Sequence, residues 1–289
     1  MFGRPLLAAQ EADNRKHSAL LLAFGYAGHA DLALANTRAD AALVERRLKA
    51  LKFGQVVRVE DADLTKLEAL LASFVGQLRS DGLAFVYIAG HGVQIDGANY
   101  LLLADGKTFI DMQSIIETVR PATGTSVFML DMCRNNPFRA LPSDATGVRA
   151  IRGASRALAA GSIAAPGDAA GLDFNFTAFG ARSGGVGKVG AFELRGTGVR
   201  VVFATDPQNT AADYVSAYDA NSPFATAIAQ RLSERRSLDD VITLTTGDVV
   251  SVTQGAQSPW SQGSLGQPIY LAGPPKPKNP ARPPFQVPG

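Results

Sequence analysis

Three apolar runs, Ser18 to Gly25, Leu83 to Ala89 and Val127 to Leu130, divide the first half of the chain. None of them alternates with polar residues, which is the pattern of strands buried on both faces of a sheet. Between them the period changes. Val44, Leu48 and Leu51 recur at helical spacing behind two N-cap candidates, Asn36 and Thr37, and predict a helix from about Arg38 to Lys52. Gln55 to Glu60 predicts a second strand, and Leu67, Leu71, Phe74 and Leu78 a second helix. The resulting βαβαβ order predicts an α/β fold, a mostly parallel central sheet flanked by helices on both faces, because parallel neighbours need crossover connections.

Asp96-Gly97, flanked by Val93 to Ile95 and Asn99 to Leu103, favours a two-residue hairpin turn and hence a small β-ribbon after the third strand. A short helix near Asp111 to Val119 leads into the run at Val127. From Arg139 to Arg195 the composition shifts to Ala, Gly, Arg and Ser with poor periodicity, a long loop insertion of the kind that is usually functional or unstructured. Its SGGVGKVG, Ser183 to Gly190, fails as a phosphate loop: Arg182 occupies the first glycine position and Val189 replaces the hydroxyl. Val199 to Ala204 resumes as a strand. Ser222-Pro223 opens a helix with Phe224, Ile228 and Leu232 on one face, and a further helix begins at Ser237. Pro268 to Ala272 predicts a final strand. The chain thus divides into a lead-in (1–17), one domain (18–272) and a proline-rich tail (273–289) of extended habit.

Charge and composition narrow the function by exclusion. With 28 Lys+Arg against 26 Asp+Glu, a formal charge of +2 and 46% hydrophobic residues, the chain has an ordinary globular profile. No basic stripe with interleaved aromatics points to nucleic acid. No apolar run approaches the roughly 20 residues that span a bilayer, and the first ten residues lack a long h-region, so the expectation is a cytoplasmic protein without signal peptide or membrane span. The single cysteine allows no intramolecular disulfide, which fits a reducing compartment.

That cysteine, Cys133, stands where the third apolar run turns polar. By composition alone it is a small buried hydrophobe as readily as a nucleophile. Its surroundings favour chemistry. His91, in AGHG, directly follows the run Leu83 to Ala89, so two neighbouring central strands deliver an imidazole and a thiol to the carboxyl edge of the sheet, where open α/β folds bind ligands. A Cys-His nucleophile needs that juxtaposition, a base within hydrogen-bond reach that lowers the thiol pKa from about 8.5. Gly92 allows the backbone to approach a reacting carbonyl, so its N–H and that of Cys133 are candidates for an oxyanion hole. Zinc fits worse, since His17, His29, His91 and Cys133 have no ligand spacing.

The segments FVYIAGHGVQ, NYLLLAD and FMLDMCRNNPF, in that order, resemble the caspase-like cysteine peptidases, closest to bacterial members of the metacaspase (orthocaspase) branch. The similarity runs from about Ser18 to Ala272 and includes LANTRADA, VVFATDP, NSPFATAI and SPW. It implies the caspase-hemoglobinase fold, with His91 as general base and Cys133 as nucleophile. The chain departs from animal caspases, which read Q-A-C-R/Q-G with the histidine about 50 residues upstream. Here the cysteine lies in DMCRN, and Met132 stands where relatives commonly carry a small residue.

On a strand, side chains two apart share a face, so Asp131 points to the side of Cys133 and Met132 away from it. A carboxylate beside a thiol raises the thiol pKa and is better employed in receiving a cationic substrate side chain. The resemblance agrees: Asp40 and Asp131 match the two carboxylates that line the family's S1 pocket, which implies peptide substrates with Arg or Lys at P1. Self-cleavage is expected in the loop insertion, with Arg149, Arg152, Arg156, Arg182, Lys188 and Arg195 as candidate P1 residues in an Ala/Gly/Ser-rich context suited to proteolysis. No cofactor or metal is required for the chemistry, calcium dependence stays open, and a monomer is favoured. The alternative function is a catalytically silent binding or signalling module of the same fold.

Overall fold

The structure is a computed structural model, and it describes residues 13–95, 98–132, 192–194, 196–206, 211–212 and 220–276. Cys133, the Asp96-Gly97 turn, the loop insertion up to residue 191 with its phosphate-loop-like segment, Arg195 and the tail beyond residue 276 lie outside the described residues.

The first half alternates as its pattern predicts: β1 (Ser18–Ala23), α1 (Thr37–Ala50), β2 (Gln55–Glu60), α2 (Leu64–Gly76) and β3 (Leu83–Gly90). A ribbon follows, β4 (Gly92–Ile95), β5 (Ala98–Leu102) and β6 (Phe109–Asp111), then α3 (Met112–Val119) and β7 (Thr125–Met132). The described second half holds β8 (Val199–Phe203), α4 (Pro223–Arg231), α5 (Leu238–Val252) and β9 (Trp260–Ser264). Six strands form the central sheet in the order β2-β1-β3-β7-β8-β9, parallel except for β9, and β4-β5-β6 form a separate antiparallel sheet.

Alternate residues of the central strands enter two different cores. Ala84, Val86 and Ile88 pack with Leu71 and Phe74 of α2 and Ile115 and Val119 of α3. Phe85, Tyr87 and Ala89 pack with Val44 and Leu48 of α1, Phe224 and Ile228 of α4 and Val249 of α5. A strand covered on both faces has no polar side to show, which explains the unbroken apolar runs.

Helix starts follow local chemistry. The side chains of Asp63, Asp111, Ser222 and Ser237 each accept a backbone N–H in the first turn of α2, α3, α4 and α5. At α1 the expected capping differs. Asn36 makes no side-chain cap bond, and the Thr37 hydroxyl donates instead to the Phe24 carbonyl at 3.1 Å, tying the helix to the end of β1.

Pro268 to Ala272 is not a strand; the last strand is β9 at Trp260–Ser264, antiparallel to β8. The backbone of 268–272 is engaged elsewhere. Pro268 has no N–H to give a ladder, the Ile269 carbonyl accepts the Leu238 N–H at the start of α5, and the Leu271 carbonyl accepts from Asn14 Nδ2 at 2.7 Å.

Candidate active site

Parallel strands of one sheet end on the same edge, and here β3 ends in Gly90, followed by His91, while β7 ends in Asp131 and Met132, followed by Cys133. The register pairs Ala89 with Asp131 and Gly90 with Met132, so His91 leaves the edge one residue beyond the last pair. A pocket opens at this edge. Asp40, Gly90, His91, Asp131, Met132 and Ser222 line it, together with Leu34 and Thr37. Its cavity of about 50 Å³ has room for several waters, or for one small planar cation.

Asp40 reaches the pocket from the first turn of α1 and is 1% exposed. Its Oδ1 accepts from Asn221 Nδ2 and from the Ser222 N–H, both at 2.9 Å. Asp131 reaches it from β7, and its Oδ2 accepts from the Tyr87 hydroxyl and the Ser222 hydroxyl, both at 2.7 Å. Ser222 therefore bridges the two carboxylates while capping α4, whose positive helix end faces both acids. Asp131 shares the Tyr87 side of the sheet and Met132 belongs to the opposite core, as the strand alternation predicts.

His91 is buried against the ring of Tyr26, with centroids 4.8 Å apart. Its Nε2 lies 2.8 Å from the Leu32 carbonyl oxygen. A carbonyl only accepts, so Nε2 carries the proton and Nδ1 carries the lone pair that can take one. Burial pushes the imidazole below its usual pKa, against the opposing effect of the Leu32 carbonyl, and so favours the neutral base. The His91 N–H donates to the Tyr26 hydroxyl at 2.9 Å, and that hydroxyl donates to the Leu102 carbonyl at 2.8 Å.

The structure thus brings Asp40, His91 and Asp131 to one pocket, with Gly92 opening β4 next to His91. The residues that sequence reasoning missed are Tyr26, Leu32, Tyr87, Asn221 and Ser222. Four act through a hydroxyl, a carboxamide or a backbone group contributed from a distant segment. Leu32 acts through its carbonyl, which leaves no mark on the sequence. Among the described residues no cluster of three or more His, Cys, Asp or Glu is arranged to hold a metal ion.

Comparison with known proteins gives the geometry a family. The profile described as "Caspase domain" matches residues 16–270. No curated protein sequence matches. Among solved structures, caspase-1 from Spodoptera frugiperda superposes with a TM-score of 0.59 at 12% identity, covering 94% of this chain and 96% of that one, a likeness of fold. Spanning nearly the whole of the described sheet and its helices, the match shows that the chain belongs to the caspase-domain family, whose members are cysteine-type peptidases.

Proposed function

We propose that the chain is a cysteine endopeptidase of the metacaspase branch that cleaves after Arg or Lys. One observation carries the reading: a single pocket holds His91 beside the paired carboxylates Asp40 and Asp131, at the end of the strand that runs into Cys133. In this mechanism His91 Nδ1 takes the Cys133 thiol proton, and the thiolate attacks the scissile carbonyl carbon. The backbone N–H groups of Gly92 and Cys133 receive the oxyanion. The C–N bond then breaks as the imidazolium returns its proton to the leaving amine. Water, deprotonated by His91, attacks the thioester and releases the acid and the thiol.

The carboxylate pair supports a cationic P1 residue. Two carboxyl groups in a pocket this small suit one guanidinium, which pairs bidentately, or one ammonium as a point charge. The second reading, a silent binding module, draws on the same bonds: Tyr87, Asn221 and Ser222 already give Asp40 and Asp131 a structural occupation.

Fluorogenic peptides ending in Arg, Lys or Asp, offered with and without calcium, decide between them. Turnover after Arg and Lys is expected, and none after Asp. Self-cleavage is tested on the same protein by intact mass. Fragments ending at Arg149, Arg152, Arg156, Arg182, Lys188 or Arg195 are expected from wild type and not from Cys133→Ala. A protein that turns over none of the peptides is the silent module.

A further inference from the structure

We propose that Tyr26 is a positioning residue for His91, and that Asp61, which touches neither His91 nor the pocket, holds Tyr26 in the conformation this requires. The inference rests on the reading of His91 as the base. Its observations are independent of that reading.

Tyr26 and Asp61 both have left-handed backbones, with φ of 54° and 46°. Asp tolerates that region better than most residues, but a bulky Tyr rarely adopts it, and strain of this kind persists only where the surroundings enforce it. The two are each other's surroundings. Asp61, the residue after β2, accepts the Gly25 N–H at 2.7 Å and the Tyr26 N–H at 3.3 Å on the same oxygen, Oδ1. Its own N–H donates to the Ala23 carbonyl at 2.8 Å, and its Oδ2 pairs with the Arg38 guanidinium. Burial raises the Asp61 carboxyl, but Arg38 and the two backbone donors outweigh it and keep the group ionised well into acid.

The turn fixed in this way meets His91 on two sides. At one end the Tyr26 hydroxyl takes the His91 N–H and its ring lies against the imidazole. At the other, the Leu34 N–H closes on the Gly25 carbonyl at 3.1 Å, which sets the segment carrying the Leu32 carbonyl opposite Nε2. Backbone, ring face and tautomer of one histidine are therefore set by one short segment. Gly90 completes the fit, since a Cβ there would stand 3.0 Å from the Tyr26 hydroxyl and 3.1 Å from the Phe24 Cβ. Tyr26→Phe leaves the His91 N–H and the Leu102 carbonyl without their shared hydroxyl while keeping the ring. Asp61→Asn keeps an acceptor and removes the charge that Arg38 holds.

Two readouts separate positioning from general stability. The chain has only three histidines, so imidazole ¹⁵N signals are assignable by single replacements. In a Cys133→Ala background His91 is expected as the Nε2–H tautomer alone, and Tyr26→Phe is expected to mix the tautomers. With the thiol present, Tyr26→Phe should lower kcat on an Arg peptide about tenfold, the scale of one lost hydrogen bond, with KM moved less than about twofold. Asp61→Asn should move both readouts the same way by less, and it carries the test should Tyr26→Phe not fold. A single unchanged tautomer with unchanged kcat overturns the proposal, as does a rise in KM alone. Turnover surviving in His91→Ala would instead overturn the reading of His91 as base, and the tautomer spectrum would still decide what Tyr26 does.

Discussion

His17 and His91 lie at opposite ends of neighbouring parallel strands, His17 just before β1 and His91 just after β3. Both are largely withdrawn from water, both rest on an aromatic ring, and both are bonded to a backbone group. His17 stacks edge-on to Phe53 at 5.5 Å, and burial, helped by the charge of Lys16, lowers its pKa to about 4. The difference is which nitrogen is committed. His17 spends a lone pair: its Nδ1 accepts the Leu83 N–H at 3.1 Å. His91 spends a proton on the Leu32 carbonyl. A histidine whose lone pair closes a backbone gap has become part of the frame, whereas one whose N–H is anchored keeps a basic nitrogen for chemistry. Their surroundings agree. The amino edge is closed by close backbone packing, so tight that a Cβ at Gly54 would fall 1.9 Å from the Arg15 carbonyl oxygen, while the carboxyl edge opens into a pocket lined by two acids.

The largest expected effect breaks this contrast if it fails. His91→Ala and Cys133→Ala should each lower kcat/KM on Arg peptides by about 10³-fold or more. His17→Ala should do the reverse, costing about 1–3 kcal/mol of stability by leaving the Leu83 N–H without its acceptor, at nearly constant kcat. Comparable loss of turnover in a well-folded His17→Ala would remove the distinction.

Next in size is the acidic pocket. Asp131→Ala is expected to cost about 10²-fold against Arg at P1 and much less against a neutral P1 residue, because it removes one partner of a desolvated charge pair. Asp131→Asn is the sharper variant, since it still accepts from Tyr87 and Ser222. Equal losses on both peptides would make Asp131 a purely structural acid.

How much of this was readable beforehand follows from where the signal sits. The buried strands were legible because burial on two faces writes itself as apolar runs, and His91 and Asp131 because they stand where such runs turn polar; Asp40 was marked only by the resemblance to the caspase-like peptidases. β6 was missed, having only three residues, Phe109–Asp111. β9 was missed because WSQGS is a partly exposed edge with one apolar residue and no alternation, while PIYLA looked like a strand because Leu271 is buried for another reason. Tyr26, Leu32 and Ser222 act across tens of residues through a hydroxyl or a carbonyl, and no local pattern encodes such a partner.

The titration of the two histidines gives a pH prediction. An unfolded histidine binds its proton near pH 6.5 and folded His17 only near pH 4, so the unfolded state holds more protons between these values. Stability is therefore complete above about pH 6.5 and falls as the pH drops toward 4, by no more than about 3 kcal/mol for this group. His91, lowered by burial, acts in the same direction. Chemical denaturation from pH 7 to 4 should show the loss, and His17→Asn, which keeps an acceptor that does not protonate in this range, should flatten most of it. An unchanged slope in His17→Asn would place the sensitive group elsewhere.

The smallest effect is expected at Tyr87→Phe, and it tests how a framework residue borders the pocket. Tyr87 is fully buried in β3 and its ring packs in the core beside α1 and α4, so the replacement keeps the packing and removes one hydroxyl. That hydroxyl donates to the same Asp131 oxygen that Ser222 bonds. Losing one donor to a carboxylate costs about 1.5–3 kcal/mol, which should appear in part as stability and in part as a looser Asp131. The expected result is a fall of about threefold to tenfold in kcat/KM for Arg peptides, with neutral P1 peptides nearly unaffected. An equal fall on both would mean that the phenol serves the sheet alone, as His17 does at the other end, and that the division between frame and pocket runs between Tyr87 and Asp131, not through Tyr87.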